Sequence, residues 1–278
     1  NRNRSLITMA AIFFAVILSV VTSSLRQGIF DNLIKNVVSF YTGYIQVHKK
    51  GYYDEQILEN SFESSFKTEK KIQQHQNVIG LTPRLESFAL ASTSEFTKGC
   101  MVVGIQPNKE NEITSLKTKI TQGDYLNDSD TAVLLAEGLA EKLRLKIRDT
   151  IVLIGQGYHG ATAAGKYRIK AIAKFGSPEL NDKTLFMPIK VAQDFYGSYG
   201  MITAYIISLS ETKKTETTAT TLRASMGNSF EVMTWGDLMP GVKQHIKTDT
   251  SNTKYVQGVL YLLICFGIFG TLLMMMVE

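Results

Sequence analysis

Two cysteines, four histidines and one tryptophan are all that 278 residues supply of the side chains most common at metal, redox and stacking sites. So little cysteine excludes a disulfide-stapled scaffold, which needs several paired thiols in a short chain. Cys100 falls in a strand-like run and Cys265 in an apolar run near the end, so no disulfide between them is expected. His48, His75, His159 and His245 stand far apart, and none pairs with Cys, Asp or Glu at a ligand spacing. No metal site is expected. The chain also lacks a G-x-S-x-G elbow and a Cys/His constellation, and no pair of carboxylates is singled out by spacing. It is therefore read as having no catalytic and no cofactor-binding residue. Trp235, the lone tryptophan, reads as a packing anchor.

Strong charge of one sign is missing as well. The net charge is +5, and the lysines gather only in pairs: Lys49-Lys50, Lys70-Lys71 and Lys213-Lys214. No basic stripe interleaved with aromatics accompanies them, so nucleic acid is not an expected partner. One stretch, Gly160-Ala-Thr-Ala-Ala-Gly165-Lys166-Tyr167, satisfies seven of the eight positions of a phosphate-binding loop. Tyr167 stands where a magnesium-binding hydroxyl is needed, and Tyr167–Ile172 alternates like a strand instead of opening a helix. A hairpin turn is the reading.

What the sequence does have is two long runs without charge. Leu6–Leu25 is about 20 residues, enough at 1.5 Å per residue to cross a hydrocarbon core of about 30 Å. Arg2 and Arg4 just before it place the N-terminus in the cytoplasm and residue 26 onward outside. Val256–Val277 would bring the chain back. A cleaved signal peptide competes for the first run, since residues 9–18 followed by Ser19-Val-Val-Thr-Ser-Ser resemble its apolar and cleavage regions. Against it, Ile29, Phe30, Leu33, Ile34, Val37, Val38, Tyr41, Tyr44 and Ile45 continue at helical spacing without a proline. A membrane helix that runs on as a stalk fits better, with Gly28 and Gly43 as its weak points. The chain lacks an initiator Met and stops at the first charge after the second run, so it reads as a piece of a longer protein.

Between the runs lies an ordinary water-soluble pattern. Residues 54–76 read as one polar helix; Arg84–Ser92 and Cys100–Gln106 as a hairpin; Glu137–Leu143 as a helix; and Asp149–Gly155, Lys166–Phe175, Thr184–Met187, Ile202–Leu209 and Phe230–Thr234 as strands. Helices near Glu110–Leu116, after Pro188, at Glu211–Met226 and at Trp235–Asp249 complete the set. Strands mixed with helices in no strict βαβ order define an α+β class. The expected divisions are 1–25 for a cytoplasmic start and first span, 26–48 for the helical stalk, 49–255 for the outer α+β domain, and 256–278 for the second span. Within the domain, residues 107–200 are expected to form a second subdomain.

Several segments resemble permeases of ABC transporters of the MacB/LolC/LolE (FtsX-like) type. Asn3–Met9 resembles the opening of their first membrane helix, and Thr42-Gly43-Tyr44-Ile45-Gln46-Val47-His48 the element after their stalk. Pro83-Arg84-Leu85 and Val103-Gly104-Ile105-Gln106-Pro107 look like their early periplasmic strands. Leu135–Ala140 with Leu143–Asp149 is similar to a "lA..L.vkvGD" stretch, and Val232–Trp235 to the strand before the returning helix. One departure is Arg148, where a Gly is usual.

The resemblance implies a multi-pass protein of the bacterial inner membrane with its main domain in the periplasm. It implies four membrane helices, the third and fourth beyond Glu278, and a separate cytoplasmic ABC ATPase that binds ATP and Mg and does the hydrolysis. A second permease copy or paralogue and the lipid bilayer are the other implied partners. Lipoprotein release, with a lipoprotein substrate and a periplasmic carrier, is the branch the motifs resemble most. Macrolide-type efflux, or a two-span sensor or scaffold with an outer binding domain, are the alternatives. In lipoprotein release, acyl chains would meet the outer halves of the two helices, at Phe14, Ile17, Val21, Leu260, Leu263 and Ile264.

Overall fold

A computed structural model describes residues 2–37 and 41–277. The chain divides into two compact units, one made of its ends (Asn1–Asn36 and Met239–Glu278) and one of Val37–Leu238. The first unit opens with α1 (Arg2–Val37), an unbroken helix with no proline to interrupt its ladder. Within it, Ile12–Phe30 is long and apolar enough to cross a bilayer, overlapping the expected Leu6–Leu25.

The expected stalk to residue 48 is corrected at its far end. Val38 lies outside the described residues, and β1 (Ile45–Lys49) is a strand. Gly43 breaks the helical path: its φ of 65° is left-handed, and a Cβ there would sit 2.4 Å from the Ile206 side chain. Of the apolar residues counted as a stalk stripe, Ile29 to Val37 stay in α1, whereas Ile45 buries in β1 of a sheet.

The second unit continues with α2 (Tyr52–Glu55), β2 (Phe62–Glu63), α3 (Phe66–Gln73) and the hairpin β3 (Val78–Ser92) and β4 (Thr97–Ile105). Next come α4 (Pro107–Thr114), β5 (Ile120–Gly123), β6 (Val133–Ala136), α5 (Glu137–Leu143), β7 (Thr150–Gln156) and β8 (Thr162–Ala173). The unit closes with α6 (Pro178–Lys183), β9 (Thr184–Pro188), α7 (Ile189–Tyr196), β10 (Met201–Ile202), β11 (Ala204–Leu209), α8 (Thr215–Met226), β12 (Phe230–Thr234) and α9 (Trp235–Leu238). This is the expected mixed α+β fold. The phosphate-loop look-alike lies in the β7–β8 hairpin, where Lys166 pairs with Val152 and Gly165 with Leu153. Residues 54–76 are not one helix: Phe62 pairs with Ile202 in a two-stranded sheet, and α3 starts after Ser65, whose Oγ accepts from the Thr68 amide.

Nine strands follow one another in the order β12-β1-β11-β3-β4-β9-β6-β8-β5. β7 pairs with both β3 and β8, so β3, β4, β9, β6, β8 and β7 close into a six-stranded ring. A barrel this small is filled by its own side chains. Ala89, Ala91, Val102, Leu135, Leu153, Leu185 and Met187 belong to that core, which α7 joins through Ala192, Phe195 and Tyr196. The 107–200 region thus belongs to the same sheet, β9 running parallel to β4. Long β3 serves twice, its first half in the open sheet beside β11 and its second half in the ring. The open edge holds β1 and β12 side by side, Ile45 opposite Thr234. Arg148 adopts φ 75°, the left-handed geometry that explains why glycine suits this turn.

The chain leaves through α10 (Pro240–Val277), with proline in the first turn, where a missing N–H costs nothing. Residues 240–255, expected in the α+β domain, belong instead to this helix, because no breaker separates them from the apolar run. The described apolar stretch in α10 is Gln257–Gly270.

A buried ionic joint where the first helix enters the domain

Of the residues expected to meet substrate, Phe14, Ile17, Val21 and Ile264 have described side chains. Ser19 is buried and hydrogen-bonds Tyr261 at 2.7 Å, which fixes the facing sides of α1 and α10. At 100° per residue Ile12, Ala15, Ser19, Arg26 and Phe30 form one stripe of α1, and all are buried or half-buried. Phe14, Ile17 and Val21 fall on the opposite side and are exposed. On α10, Gln257, Tyr261, Ile264 and Ile268 share a stripe, so Ile264 lies on the side of Tyr261. The side chains of Leu260 and Leu263 lie outside the described residues.

A different cluster draws the most charge into the interior. Arg84 on β3 is fully buried. Its Nε and Nη2 donate to Glu110 Oε2 and Oε1 at 3.1 and 2.6 Å, a bidentate pair, and its Nη1 donates to Glu86 at 3.2 Å. The guanidinium also stacks 4.5 Å over the ring of Tyr41, four residues beyond the end of α1. Burial alone would depress the arginine pKa; the two carboxylates outweigh it and raise the pKa, so the guanidinium stays charged. Lys119, half-buried beside the cluster, is pulled down to about 8, chiefly by burial.

β1 carries the second part. Gln46 donates its amide to Thr42 O at 2.8 Å, which turns its Oε1 toward His48 Nε2, 2.8 Å away. His48 Nδ1 faces Thr203 O at 3.0 Å, and the ring stacks on Tyr52 at 5.1 Å. Both atoms facing the imidazole are acceptors, so a neutral ring donates to only one of them. Burial lowers the His48 pKa, opposed by the Thr203 contact and by Glu86 and Glu231. Thr203 Oγ1 accepts from the Glu86 amide and donates to Arg84 O, tying the two parts together. Thr42 Oγ1 and Thr82 Oγ1 are buried without a partner.

Chemically this network offers no nucleophile open to solvent. It is a stiff polar joint between the residues just after α1 and the middle of β3, with α4 locked on by Glu110. Sequence reasoning singled out Thr42–His48 and Pro83–Leu85 as motifs but not their contact. The available signal was Arg84 and Glu86 at i and i+2 in an apolar strand run, two opposite charges on one face.

The class that emerges is a mixed α+β domain that follows a long apolar helix, with its ionic joint just after that helix. The chain belongs to the family of the MacB-like periplasmic core domain, whose model matches residues 5–225. This agrees with the resemblance to FtsX/MacB-like ABC-transporter permeases. The fold is shared with the periplasmic region of MacB from Actinobacillus actinomycetemcomitans, at 14% identity and a TM-score of 0.50, over 76% of this chain and 96% of that one. The extracellular domain of the noncanonic ABC-type transporter YknZ from Gram-positive bacteria is also similar. It shows 13% identity and a TM-score of 0.48, over 69% of this chain and all of the other. No curated protein matches.

Proposed function

We propose that this chain is part of a permease subunit of a mechanotransmission ABC transporter in the bacterial inner membrane. α1 and α10 both span the bilayer in this reading, and a separate cytoplasmic ATPase binds ATP and Mg and drives them. A second permease copy or paralogue completes the assembly. The ionic joint is the observation that carries the coupling: Tyr41 and Thr42 are the first described residues after α1, and both belong to a buried charged network. In this reading, a pull on the chain at Tyr41 and Thr42 is passed to β3 and α4 through that network. The test is co-purification of the full-length protein in mild detergent. An ATPase subunit should come with it, its hydrolysis rate changed by the permease; no ATPase at any detergent concentration overturns the reading.

For the cargo, the Thr42–His48 and Thr234-Trp235 elements favour release of lipoproteins, handed to a periplasmic carrier. Depletion should leave lipoproteins in the inner membrane. Normal lipoprotein sorting together with new macrolide sensitivity would point to efflux instead.

A further inference from the structure

The sheet face that bears Arg84 and Glu86 continues along β3, and beyond Glu86 it is bare. Phe88, Leu90 and Ile154 are 54%, 50% and 46% exposed. The register makes them one patch: Leu90 lies opposite Ile154 on β7, Phe88 is two residues along on the same face, and half-exposed Val152 is next to Ile154. An unpaired antiparallel face in water normally alternates to polar residues on its outer side, and here the centre of the face is aliphatic and aromatic. Among the described residues no element packs over it. The neighbouring outward positions on β8 are Lys166, opposite Val152, and Arg168, opposite Thr150. Residues 88–92, 150–156 and 162–168 contain no Asp or Glu, and the carboxylates next along β8 lie away from the apolar patch, Asp124 sharing a groove with Arg168 and Asp130 paired with Lys170 at 2.6 Å.

We propose that this outer face of the ring docks an acidic polypeptide, with apolar side chains seated on Phe88, Leu90 and Ile154 and carboxylates against Lys166 and Arg168. Exposed apolar patches with a charged rim of one sign mark protein-binding surfaces, and the rim sets which partners are accepted. A second copy of the same face is a poor occupant, because it brings two more cations, Lys166 and Arg168, to a rim that already carries them. A lipid surface fits less well: the apolar groups lie within a sheet, whereas bilayer insertion uses bulky side chains that stand out from the polypeptide. Phe88 is two residues from Glu86, so an occupant touches the strand that carries the ionic joint. The surface stands on its own geometry and does not require the permease reading.

The test is photocrosslinking in cells that make the full-length protein, with p-benzoylphenylalanine at Leu90 and, as a control, at Tyr199, which is exposed but outside the face. A discrete polypeptide adduct is expected at Leu90 and not at Tyr199, joined to a segment containing Asp or Glu. Its yield should fall about tenfold in Lys166→Glu/Arg168→Glu, and less in Lys166→Gln/Arg168→Gln, which guards against a folding defect. An adduct only with lipid, an adduct only with this chain, no adduct, or a yield indifferent to charge reversal each overturns the proposal.

Discussion

Arg84 illustrates how a buried charge is tolerated: every partner is present, so removal of any one exposes the cost of burying the rest. Glu110→Gln is expected to destabilise the protein by about 3 kcal/mol, since it leaves a guanidinium in the interior short of an anion. Arg84→Met/Glu86→Gln/Glu110→Leu should recover most of that loss, because the attraction among the three ions is largely offset by their desolvation. Denaturant midpoints of the two variants make the comparison; a triple variant as unstable as the single would mean the cluster is worth more than its desolvation cost. His48 gives a pH test. Its folded pKa lies below the ordinary value, so the unfolded chain takes up a proton first. That contribution to stability is intact above about pH 6.5 and is lost as the pH falls below it. Unfolding midpoints measured at falling pH should decline, and less so in His48→Gln. A rise on acidification would instead mean an imidazolium donating to Gln46 and Thr203 at once.

Elements with strong local period were legible in the sequence: the helix Glu137–Leu143 and the strand Phe230–Thr234 sit where their patterns placed them. Elements that depend on distant partners were not. Phe62 sits in a polar segment that looks helical until Ile202, 140 residues away in sequence, pairs with it. It also packs on Tyr205 and Phe230 at 5.7 and 5.1 Å. Phe62→Ala should cost about 3–5 kcal/mol and release the amides of 62–63 and 201–202 to faster hydrogen exchange. Unchanged protection there would mean the small sheet holds without its aromatic anchor. Closure of the ring by β7 was equally hidden, because alternation marks a strand but not its neighbours. For the same reason Arg84 and Glu110, 26 residues apart, could not be paired from spacing, although each segment was noticed.

For the molecule as a whole, the orientation is the first thing to check. With Cys265→Ser as background, Cys100 should stay silent, since it is buried and its thiol is pushed up to about 12. Tyr199→Cys should then react with a membrane-impermeant maleimide in spheroplasts, and Asn3→Cys only after lysis. Labelling of Asn3→Cys from outside would invert the topology. The adjacency of β1 and β12 adds a mechanical constraint. Ile45 and Thr234, the strand ends nearest α1 and α10 along the chain, lie directly opposite each other, so tension separating them would open the ladder like a zipper, one rung at a time. A common displacement of both ends leaves every rung at its resting length. In the proposed permease, a stroke in which both helices travel together is therefore the one that keeps this ladder intact.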